Sequence, residues 1–102
     1  MIRRKLPIDV PRQRIAEFCR RHHIRTLSLF GSVLREDFTP SSDVDVLVEF
    51  EEGRMPGLAF FAMERELAEL LGRPVDLNTP HCLSRHFRDE VLAEAESVYD
   101  AA

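Results

Sequence analysis

The chain has 102 residues, 44% of them hydrophobic and 31% charged, with a formal net charge of −4. That size suits one domain, residues 1–102, able to bury roughly 65% of its unfolded surface, and the composition argues against disorder or low complexity. No apolar run approaches the ~18 residues of a membrane span. The N-terminus has no apolar stretch of the secretory type, so a cytoplasmic location is expected. The charge is unevenly divided: residues 1–35 carry nine basic side chains against Asp9 and Glu17, a balance of +7, and residues 36–102 carry five against sixteen acids, or −11. An acidic total argues against general binding to nucleic-acid backbone, whereas the basic end suits a phosphate or an acidic protein partner, its run Arg3-Arg4-Lys5 reading first as a solvated terminus and second as a partner contact.

In chain order, residues 11–23 repeat Ile15, Phe18 and Cys19 at helical spacing, with Pro11 suited to the first turn. Residues 26–30, TLSLF, alternate like a strand that Gly31-Ser32 ends, and residues 32–36 read as a short helical turn. TPSS at 39–42 is a loop, and residues 43–50 form a second strand. After the turn-rich EEGRMPG, residues 58–71 make the clearest helix, with Leu58, Phe61, Leu67, Leu70 and Leu71 along its apolar side and Gly72 at its end. Residues 73–80 supply a third, short strand, and residues 84–96 a last helix that Ser84 is placed to cap. About three strands separated by helices predict an α/β fold, a small mixed sheet flanked by helices.

Two aspartates interrupt the second strand. Val44, Val46 and Val48 share one face of it, while Asp43, Asp45 and Leu47 share the other, so two like charges lie about 7 Å apart along the strand. Asp76 interrupts the third strand in the same way, between Val75 and Leu77. If the strands are neighbours, three carboxylates converge beside the Gly-Ser turn. Carboxylate oxygens on rigid strands, open to solvent, suit Mg²⁺, which takes one or two carboxylates together with phosphate oxygens and water. Gly31 permits close approach of the backbone, and Ser32 and the following N–H groups can donate to phosphate. Together these halves describe a nucleoside triphosphate site with metal-assisted transfer.

Gly31-Ser32, ten intervening residues, Asp43-x-Asp45 and a later Asp76 on a strand resemble the polymerase-β-like nucleotidyltransferase superfamily. The small size and the ending RHFRDEVLAEAESVY are similar to its minimal nucleotidyltransferase (MNT) group of bacteria and archaea. The resemblance implies ATP as substrate and two Mg²⁺ ions held by Asp43, Asp45 and Asp76. It further implies nucleotide contacts from Gly31, Ser32, Arg35 and Ser42, and Asp76 as acceptor of the attacking hydroxyl's proton. It also implies a partner, a HEPN-domain toxin that such proteins bind and whose tyrosine they adenylylate. Family members often carry a second glycine after the arginine, where this chain has Glu36.

The same residues admit other readings. An EF-hand over DVDVLVEFEEG fails, because Leu47 and Val48 stand where an oxygen ligand and a glycine are required. His22, His23, His81 and His86 have no metal-site spacing, and Cys19 and Cys82 read as reduced cysteines packed as small hydrophobes. Three functions survive: an enzyme that adenylylates a protein, a catalytically weak or inactive antitoxin that neutralises its toxin by binding, and an enzyme acting on a small molecule. The last usually carries an added substrate domain, for which 102 residues leave no room. The sequence is compatible with a homo-oligomer or with a hetero-oligomer formed with the toxin.

Overall fold

The computed structural model describes residues 8–35, 38–39 and 41–101. The Arg3-Arg4-Lys5 run and the family departure at Glu36 lie outside the described residues. Helix α1 (Arg12–Arg21) leads into strand β1 (Ile24–Phe30), which ends in a 3-10 turn, Gly31–Leu34. Strand β2 (Val44–Phe50), helix α2 (Ala59–Leu71) and strand β3 (Val75–Asn78) follow. The chain closes with a 3-10 turn at Pro80–Cys82, helix α3 (Arg88–Glu94) and strand β4 (Glu96–Asp100).

The described strands make one mixed sheet ordered β3-β2-β1-β4. β1 runs antiparallel to both β2 and β4, and β2 runs parallel to β3. A parallel neighbour needs a crossover, and α2 is that crossover. Strand alternation then divides the sheet. Leu27 and Leu29 of β1, Val44, Val46 and Val48 of β2, and Leu77 of β3 point into a core closed by Ile15, Phe18 and Cys19 of α1 and Met63 and Leu67 of α2. Burial pushes the Cys19 thiol up to about 12, which leaves it an inert packing group.

Four features depart from the sequence expectation. The sheet has four strands rather than about three. The last helix is shorter than residues 84–96, because Ala95 is extended (φ −59°, ψ 137°) and residues 96–100 pair with β1, which would otherwise be an open edge. Ser84 does not cap that helix: Phe87 is the cap residue, and the Ser84 hydroxyl accepts from the His86 N–H at 3.3 Å. On α2 the inward ridge is Phe60, Met63, Leu67, Leu70 and Leu71, while Leu58 and Phe61 are 86% and 63% exposed. Phe61 is one residue out of phase with the ridge, and one residue turns a side chain by about 100°.

The smaller expectations divide as well. Cys82 is exposed rather than packed. His22 tilts against Phe18 with ring centroids 4.7 Å apart, and its Nε2 lies 3.1 Å from Glu66 Oε1. Arg21 pairs with the same carboxylate. Partial burial works to raise the Glu66 pKa, but the bonds from Arg21 and His22 outweigh it and hold the carboxylate below its ordinary range. This partly exposed cluster ties the end of α1 to α2 at the rim of the core.

Candidate active site

The face of the sheet opposite the core carries the chemistry. Register places Phe30 beside Asp45 on one side and Asp76 beside Asp45 on the other. The side chains of Asp45 and Asp76 thus stand on adjacent strands, about 4.8 Å apart along the pairing direction. Asp43 comes just before β2 and is exposed, and the neighbouring Val44 N–H donates to the Pro74 carbonyl at 2.9 Å, which fixes the start of β2 against the start of β3.

Asp45 bears the cost of this arrangement. Its carboxyl is pushed above the ordinary value of 3.8 by partial burial, then by the charge of Asp76 and that of Asp43, and Arg35 opposes the shift. A carboxylate held between two others, with one arginine as counterweight, is a site short of positive charge.

Gly31 shows why no larger residue follows β1. Its φ is +75°, and a Cβ built on it would lie 2.2 Å from Asp45 Oδ2. Any side chain here would displace the carboxylate as well as strain the backbone. The turn that follows is 3-10 rather than α-helical and closes with the Arg35 N–H donating to the Ser32 carbonyl at 2.9 Å. The first N–H groups of such a turn have no partner within it. Ser32 is half-buried at its start, within a turn that abuts Asp45.

The remaining sequence candidates take different positions. The Arg35 side chain is exposed, and with Phe30, Gly31, Phe87, Val91 and Glu94 it lines a cleft of about 200 Å³. Phe87, Val91 and Glu94 were not singled out from the sequence, since nothing in the local pattern of α3 says that it folds back beside the Gly31 turn. The Ser42 hydroxyl accepts from the Thr39 N–H at 3.0 Å and lies 3.0 Å from the Thr39 hydroxyl, so it closes the loop immediately before Asp43.

Among the described residues, no three of His, Cys, Asp and Glu are already gathered as a metal cluster. The donor set nevertheless fits a hard divalent cation. Asp45 is raised by partial burial and by two neighbouring carboxylates that Arg35 only partly offsets, and a cation that brings its own phosphate oxygens and waters needs only one or two of them.

This geometry can be set against known proteins. The sequence profile of the family described as polymerase beta, nucleotidyltransferase matches residues 13–102. The chain belongs to that family. A protein of Thermococcus cleftensis named protein adenylyltransferase MntA is 39% identical over 79 residues, covering 76% of this chain and 78% of its own. Among solved structures, a chain from the crystal structure of a toxin-antitoxin complex with AMP-PNP superposes with a TM-score of 0.71 at 21% identity, over 88% of this nucleotidyltransferase and 73% of that chain. A second, from a complex of tri-AMPylated Shewanella oneidensis HEPN toxin with MNT antitoxin, gives 0.62 at 21% identity, over 87% and 69%. These two likenesses establish the shared fold.

Proposed function

We propose that this nucleotidyltransferase transfers AMP from ATP to a hydroxyl, that of a tyrosine, on a partner HEPN-type toxin and thereby acts as its antitoxin. The observation that carries the reading is the contact of Gly31 with the Asp45 carboxylate while Asp76 stands in register on the next strand. A phosphate-accepting turn and a carboxylate pair are thereby fused at one point. A relative matched over 78% of its own length bears the name of a protein adenylyltransferase, which favours a protein acceptor.

In this reading the backbone N–H groups at the Gly31-Ser32 turn and the Ser32 hydroxyl hold the triphosphate, and Arg35 offsets its charge from the cleft side. Ser42 acts by setting the loop that delivers Asp43. Asp43 and Asp45 would hold Mg²⁺, with Asp76 completing the carboxylate set, and the bound ion would supply charge neutralisation at the phosphates. The acceptor's hydroxyl oxygen attacks the α-phosphorus, forming a phosphodiester bond. The bond from that phosphorus to the bridging oxygen breaks, pyrophosphate leaves with the electron pair, and Asp76 takes the hydroxyl proton. ATP as substrate suits a cytoplasmic setting, and no helix among the described residues is long and apolar enough to cross a membrane.

Neutralisation by binding alone is the second reading. It is favoured by Met55, Leu58 and Phe61, large apolar side chains left 65%, 86% and 63% exposed within one stretch of chain. Co-expression with the HEPN-type partner, followed by intact-mass measurement, separates the two. A mass gain in AMP units that disappears with Asp43→Asn is the expected result. A stable complex without any gain assigns the protein to the binding reading.

A further inference from the structure

β3 is four residues long and lies at the edge of the sheet, paired only with β2 among the described strands. An edge strand leaves alternate N–H groups without a ladder partner, and a short one is easily displaced. This one also carries Asp76 directly against Asp45, whose carboxyl is raised by partial burial and then by the Asp76 charge, so like-charge repulsion works to part β3 from β2. Something on the outer side has to hold it.

That something is a side chain of the crossover helix. Glu64 Oε2 accepts the backbone N–H of Leu77 at 2.8 Å, thirteen residues away in the chain. Leu77 directly follows Asp76 and is 4% exposed, its side chain packed in the core with Met63 and Leu67 of the same helix. Glu64 therefore bonds the outward N–H of the strand while its helix neighbours grip the strand's inward side chain. We propose that Glu64 is a positioning residue, which fixes the register of β3 on β2 and so holds Asp76 at the reacting hydroxyl. Its carboxylate points at a backbone amide rather than at substrate. The kinetic consequence rests on the role proposed above for Asp76.

Two substitutions divide the chemistry. Glu64→Gln keeps an oxygen acceptor for the Leu77 N–H, and Glu64→Ala removes it. The direct measurement is by NMR: exchange of the Leu77 amide, together with the cross-strand contact between the Asp45 and Asp76 backbones. In Glu64→Ala the Leu77 amide should lose protection and the cross-strand contact should weaken, with β1–β2 amides unchanged, and Glu64→Gln should resemble wild type. For AMP transfer, Glu64→Ala should lower kcat about tenfold or more, as displacement of a reacting group by a fraction of an ångström does. The KM for ATP should stay within about twofold, since the triphosphate turn is untouched. Glu64→Gln should recover most of the rate. A protected Leu77 amide with the cross-strand contact intact in Glu64→Ala would overturn the proposal, as would a Glu64→Gln variant as impaired as Glu64→Ala. Failure of the function reading is recognised separately, by a wild-type protein or an Asp76→Asn variant whose transfer rate contradicts it. The NMR arms decide the placement of β3 either way.

Discussion

Adjacent residues of β2 serve opposite ends. Val44, Val46 and Val48 are fully buried against α1 and α2, and their worth is the apolar surface they remove from water. Asp45, between two of them, faces the other way and is held above its ordinary protonation range by burial and by Asp76 and Asp43. One face of the strand is a source of stability and the other a drain on it. Substitutions on the two faces should therefore separate cleanly, those on one costing folding and those on the other costing reaction.

The strongest test of that separation is the double variant Asp43→Asn, Asp45→Asn. Losing the charge that would hold the metal and offset the developing phosphate charge should cut AMP transfer by about 10³-fold, the loss of several kcal/mol of charge stabilisation. Mg²⁺-dependent ATP binding measured by calorimetry should vanish with it. Thermal unfolding should show stability unchanged or raised, because two mutually repelling charges have gone. A variant that unfolds more easily would merge the two faces into one.

The converse substitution is Leu27→Ala, on the core side of β1 and 1% exposed. It should cost about 2–5 kcal/mol of stability in a denaturant titration, from lost transfer energy and the cavity left behind. Transfer rate per folded molecule should be nearly unchanged at a temperature where the variant is folded.

How much of this division was legible in the sequence follows from what kind of information each part needs. The D-x-D alternation names both faces of β2 by itself, since a strand has period two, and Asp76 repeats the sign on β3. The need for glycine at 31 was also legible. Its physical cause was only partly so, because the close neighbour is the Asp45 carboxylate itself. β4 was missed because EVLAEAES continues a helical pattern, and its extended conformation is set by pairing to β1, a partner nearly seventy residues distant. The face of α2 was misjudged at Leu58 and Phe61 because periodicity fixes the width of an apolar stripe better than its rotation when apolar residues are plentiful. The bond from Glu64 to Leu77 had no local signal, since it joins a helix to an edge strand through tertiary packing.

Within the polar face, Asp76 and Asp45 should also differ. Asp76→Asn removes a proton acceptor for the attacking hydroxyl, and kcat should fall by about 10²-fold with ATP affinity within a factor of a few. Single-turnover kinetics with saturating ATP separate the two quantities. A change confined to ATP affinity would move Asp76 from proton transfer to nucleotide binding.

The smallest expected effect concerns protonation in the metal-free protein, and its sign is determined by the direction of the Asp45 shift. Because the folded carboxyl lies above 3.8, the native state keeps a proton over a range of pH in which the unfolded chain has already lost it. Stability contributed by this group therefore falls as pH rises through that range, and the penalty is complete above the folded value. Asparagine at 45 cannot ionise, so Asp45→Asn should show no such fall. The stability difference, variant minus wild type, should be near zero below the unfolded value, grow through the window and level off at neutral pH. Partial solvent access keeps the plateau modest. Added Mg²⁺ should shrink it by neutralising the wild-type cluster while leaving the variant alone. Denaturant titrations across acid to neutral pH measure the curve. A difference that runs the other way, with wild type gaining on the variant as pH rises, would mean that Arg35 rather than Asp76 and Asp43 governs the charge at Asp45.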